Sequence, residues 1–86
     1  MTVFKATDLV AELLTHFEKR WVRAESLEAL ADKAGATELQ ARIGFFRELL
    51  LLVRMAPVTV FDDDEQRQNM IEATQQALDA TIEQEG

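Results

Sequence analysis

One proline and one well-placed glycine set most of what this chain can fold into. Pro57 is the single proline in 86 residues, and glycine occurs only at positions 35, 44 and 86. Proline ends a helix because it lacks an N–H and its ring collides with the preceding turn. Glycine just past a helix ends it by taking up left-handed backbone. Breakers this sparse cannot supply the turns of a multistranded sheet. They divide the chain into three long stretches, and the apolar residues of each recur at helical spacing. The expected fold is therefore all-α: a single domain over 1–86, built as a small bundle of three helices, the first unbroken or bent into two.

The first stretch starts after Thr7, which can cap the opening turn while Asp8 favours the helix dipole. Leu9, Val10, Leu13, Leu14, Phe17, Trp21 and Ala24 share one face, and Leu27, Ala31 and Ala34 continue it with a drift around the axis. That drift fits either an unbroken helix of about 40 Å or a bend near Ala24 to Ser26. Lys33 and Gly35 carry the usual C-terminal signals. Thr37 and Gln40 then have capping-box spacing, so a second helix is expected from about Glu38 to Ala56.

That second helix is unusually apolar, with hydrophobic residues covering roughly 200° of its circumference. One flank holds Leu39, Ile43, Phe46, Leu50 and Val53, the other Ala41, Phe45, Leu49, Leu52 and Ala56. Gln40, Arg47 and Arg54 form a narrow polar strip, with Leu51 and Met55 beyond it. Pro57 to Phe61 reads as an extended connector, and Thr59-Val60-Phe61 echoes Thr2-Val3-Phe4; each segment is placed to pin its chain with an apolar side chain. Asp62 to Asp64 cap a third helix running to about Glu83, with Asp62 and Glu65 at capping-box spacing. Its apolar face is weak (Met70, Ile71, Ala77, Leu78 and Ile82), so it is expected to dock least firmly.

A chain of this size has a thin core and commonly gains support from disulfides, metals or oligomerisation. There is no cysteine, and His16 is the single histidine, which leaves oligomerisation. A wide apolar face left exposed on the second helix predicts a homodimer, with Trp21, Phe45, Leu49 and Leu52 as interface candidates. Helices one and two are expected to lie antiparallel across the Gly35 turn. Met1 to Lys5 lacks a basic stretch followed by an apolar core, and no apolar run approaches the roughly 20 residues of a membrane span. A cytoplasmic protein without membrane contact is expected.

Charge placement says more than the net charge of −7. Residues 1–56 carry eight basic and eight acidic side chains, whereas residues 57–86 carry Arg67 against eight acids. Such a segment repels nucleic acid and favours a basic protein surface. Asp62, Asp63, Asp64, Glu72, Asp79 and Glu83 are the candidates for that contact.

No motif points to catalysis, a metal or a cofactor. His16 has Glu12 and Arg20 one turn either side, but no nucleophile and orienting partner accompany them. The run Asp62 to Glu65 lacks the alternating ligands and turn glycine of a calcium loop, and capping accounts for it. The segment Leu27-Glu28-Ala29-Leu30-Ala31-Asp32-Lys33-Ala34-Gly35-Ala36-Thr37 resembles the first helix and turn of a helix-turn-helix. That resemblance implies a DNA-binding regulator reading bases with Glu38, Leu39, Gln40 and Arg42. The acidic charge opposes it. The favoured expectation is a small protein-interaction module (an adaptor, chaperone-like subunit or inhibitor) that binds a protein and performs no catalysis.

Overall fold

The structure is a computed structural model that describes residues 10, 11, 13–15 and 21–86. Residues 10, 11 and 13–15 are helical. They are followed by α1 (Ala24–Lys33), α2 (Leu39–Met55), a short 3-10 turn (Val58–Val60) and α3 (Asp64–Glu85). No strand occurs among the described residues, and the fold is a small all-α bundle. Thr7, Asp8, Leu9, Phe17 and the Thr2-Val3-Phe4 segment lie outside the described residues.

Of the two forms open to the first stretch, the interrupted one is found. Trp21–Arg23 are not helical, a little before the expected bend, and Arg23 is extended with φ −119° and ψ 161°. No glycine or proline causes this. The Val22 N–H donates to Asn69 Oδ1 of α3 at 3.0 Å, and the Val22 side chain is buried. A long-range hydrogen bond and a buried valine replace the helical turn, and neither is visible in local sequence.

The Gly35 turn is built as expected. Gly35 has φ +87°, its N–H donates to Asp32 O, and the Ala36 N–H reaches back to Ala31 O at 2.9 Å. This pair of bonds is the Schellman motif, which satisfies the last carbonyls of α1. Ala36, just past the glycine, is buried. The expected Thr37–Gln40 capping box does not form. α2 begins one residue later, with Glu38 at the cap and no side-chain cap bond. At α3 the box is shifted by one from the expected Asp62–Glu65. Asp63 Oδ1 accepts from the Gln66 N–H and Gln66 Oε1 accepts from the Asp62 N–H, both at 2.7 Å. The connector is partly as read: Ala56, Pro57 and Phe61 are extended and Phe61 is buried, but Val58–Val60 wind into the 3-10 turn.

Packing departs most from expectation at α3, which forms the main contact surface for α2 and also packs against α1. α1 and α2 themselves meet only briefly, so the expected hairpin packing across Gly35 is replaced by two helices leaning on a third. The reason lies in side-chain size. Ala73, Thr74, Ala77 and Thr81 are all buried and short, so neighbouring helices approach closely. The two threonine hydroxyls donate to the carbonyls of Met70 and Ala77 one turn back, at 2.6 and 2.7 Å. With their polar atoms satisfied they bury as small apolar groups. Against this seam α2 buries Ile43, Phe46, Leu49, Leu50 and Val53. Most of the apolar width that predicted a dimer is thus covered inside one protomer.

The two internal glycines make opposite predictions. Gly35→Ala forces a Cβ into left-handed backbone and should lower stability by about 1–2 kcal/mol. Gly44 is an exposed helix-interior glycine where an added Cβ meets nothing within 4 Å. Gly44→Ala should therefore raise stability by about 0.5–1 kcal/mol. Urea titration of the two variants checks both signs.

Candidate protein-binding surfaces

The interface candidates separate once burial is known. Trp21 is 56% exposed, and Phe45 and Leu52 are half-buried. Leu49 is fully buried within the protomer, so it is a core residue with no surface to offer. Phe45 meets Phe46 edge-on, with ring centroids 5.7 Å apart at 69°, which ties its ring to the core margin.

The acidic candidates Asp62, Asp63, Asp64, Glu72, Asp79 and Glu83 are all exposed. They divide by role. Asp63 is committed to the α3 cap. Asp64 lies 3.9 Å from Arg67, too loose for much stabilisation at a surface. Asp79 accepts a hydrogen bond from Gln75 at 3.0 Å. Glu65, Glu72, Asp79 and Glu83 recur at intervals of seven and four, which places them on one exposed ridge of α3. No salt bridge to this ridge is found among the described residues.

The residues of the helix-turn-helix resemblance are placed differently from a DNA reader. Arg42 turns back onto α1. Its guanidinium pairs with Asp32 and donates to Ala36 O and Glu28 O, each at 2.9 Å. Its side chain is 16% exposed. Arginine's forked donors suit this three-way clamp, which braces the Gly35 turn. A side chain so engaged is withdrawn from phosphate and base contact, and Leu39 beside it is half-buried.

His16, Glu12 and Arg20 lie outside the described residues. Among the described residues no group of three histidine, cysteine or acidic side chains is arranged to hold a metal. No buried side-chain polar atom there lacks a hydrogen-bond partner. No described helix is long and apolar enough to cross a membrane.

One exposed feature was set apart in sequence but left out of the interface candidates. Leu51 and Met55, one turn apart on α2, are 56% and 68% exposed, and Val58 follows them at 62%. The signal that separated them from the core was their position beyond the Gln40–Arg47–Arg54 strip.

These features define a small all-α bundle whose described charges make caps, a clamp and surface ridges. The chain belongs to the TyeA family, whose model matches residues 7–86. That family is a non-catalytic protein-interaction domain of type III secretion. The expectation of a binding protein agrees with it at that level.

The clamp gives a direct test. Arg42→Met removes the three bonds of the Arg42 side chain while keeping most of the aliphatic stem, and should destabilise by about 1–3 kcal/mol in urea titration. Unchanged stability would show that the clamp contributes nothing.

Proposed function

We propose that this chain is an adaptor of a type III secretion system that acts by binding another protein of that system through the acidic ridge of α3. Family membership supports the class of function. The observation that carries the surface is the exposed row Glu65, Glu72, Asp79 and Glu83, to which no salt bridge is found among the described residues. Such a row is complementary to a basic protein surface, speeds encounter with it and repels acidic competitors. The ridge stands on the helix that packs against both α1 and α2. In this reading the adaptor works in the cytoplasm.

Homodimerisation stays a separate proposal, now resting on Trp21, Phe45 and Leu52. The face that motivated it is largely covered by α3, and these three residues are what remains exposed or half-exposed of the expected set.

The experiment is co-expression of the tagged full chain with each protein of its secretion system, followed by co-purification. Glu72→Lys, Asp79→Lys and Glu83→Lys together should reduce recovery of the bound protein at least tenfold. Recovery from the unaltered chain should also fall as salt is raised, because exposed charge pairs are screened. Recovery unchanged by the triple reversal would remove the acidic ridge from the interaction.

A further inference from the structure

The solvent face of α2 has a chemistry opposite to the acidic ridge. At 100° per residue, Gly44, Arg47, Leu51, Arg54 and Met55 fall within about 100° of one another. All five are exposed. Isolated exposed apolar side chains are ordinary, but Leu51 and Met55 lie one turn apart on the same face of α2.

Gly44 adds an independent observation. A glycine inside a helix weakens it relative to alanine, and nothing within the protomer needs this one to be small, because its missing Cβ would meet open space. What the absent side chain permits is the close approach of another backbone from outside.

Charge indicates what approaches. Arg47 and Arg54 line one edge of the strip, and Arg67 reaches over from α3 to donate to Arg54 O at 3.5 Å. Glu48, also exposed, is the single acid on this part of α2. Arg67 lies 3.9 Å from Asp64, which leaves Arg47 and Arg54 against Glu48, a local positive excess on a chain of net charge −7. A two-fold pairing of copies would set the same patch against itself, arginines facing arginines. A partner helix with acidic flanks meets the opposite sign.

We infer that this strip docks an amphipathic helix of a partner protein. The helix sets its apolar seam on Leu51 and Met55, its acidic side chains along Arg47 and Arg54, and crosses α2 most closely at Gly44. The inference rests on the protein-binding reading above but uses a different surface, so the chain can engage two partner segments of opposite charge.

The probe is a synthetic 20-residue amphipathic helix with a leucine seam and glutamate flanks, compared with the same helix carrying lysine flanks. Binding to the full chain is followed by fluorescence anisotropy. The glutamate peptide should bind at least tenfold tighter than the lysine peptide. Met55→Asp and Gly44→Leu should each weaken it at least tenfold, with unchanged circular dichroism. Gly44→Ala should raise the melting temperature while weakening the peptide, a pairing that a purely structural glycine would not show. The α3 triple reversal should leave peptide affinity within twofold.

Equal binding of the two peptides, or affinity unmoved by Met55→Asp and Gly44→Leu, would overturn the inference. So would a dimer, seen by light scattering, that Met55→Asp dissolves, since the strip would then belong to a second copy. Equal binding of the two peptides, with co-purification of a partner still lost on the α3 reversal, would leave the adaptor reading standing while this one fails.

Discussion

The bundle depends on α3 presenting a seam narrow enough for two helices to lean on it. Ala73 and Ala77 supply the narrowness, and Thr74 and Thr81 extend it at the cost of two buried hydroxyls. An unpaired buried hydroxyl costs about 1–3 kcal/mol in protein mutational data. Each threonine avoids that cost by donating to the carbonyl one turn back. The solution is local, so it demands nothing of α1 or α2, and both remain free to pack by shape. Phe46, Leu49, Val53 and Met70 can then bury completely around the seam.

Because α1 and α2 barely meet, something other than core packing must fix the angle between them. The Schellman turn at Gly35 sets the chain reversal, and the Arg42 clamp braces it from the α2 side. At the other end of α1, Asn69 holds the interrupted backbone at Val22. The polar side chains buried or half-buried at these corners join elements distant in sequence, while the apolar core sits between them. This division suits a thin core, where each backbone carbonyl or amide left unpaired at a bend would consume much of a small net stability.

Helix content, the Gly35 stop, the Pro57 stop and the capping of α3 by aspartate were legible because each follows from one or two neighbouring residues. Three features were not. The interruption at Trp21–Arg23 depends on Asn69, which lies 47 residues from Val22. The firm docking of α3 was hidden because alanine and threonine count weakly as apolar, although their small size is what makes the seam. Arg42 read as part of a base-reading face rather than as a clamp because two of its acceptors are the carbonyls of Glu28 and Ala36, and backbone groups leave no trace in a side-chain pattern. At the surface, Glu72, Asp79 and Glu83 of the acidic ridge were among the sequence candidates, and Glu65 was not. The α2 strip was legible only in part: Leu51 and Met55 stood apart by angle, but the pattern did not show that no neighbouring helix covers them.

Gly35 and Gly44 show how a broken local rule distinguishes fold from function. Gly35 carries the positive φ that other residues rarely adopt, and the turn it completes accounts for it. Gly44 violates helix propensity with no compensation inside the protomer. Natural sequences keep local preference and global fold consistent, and departures without an internal gain concentrate where a protein meets something else. Exposed Leu51 and Met55 on the same face are a second departure. Two unrelated kinds of departure within about three turns of one helix are better explained by an external occupant than by two separate accidents of drift.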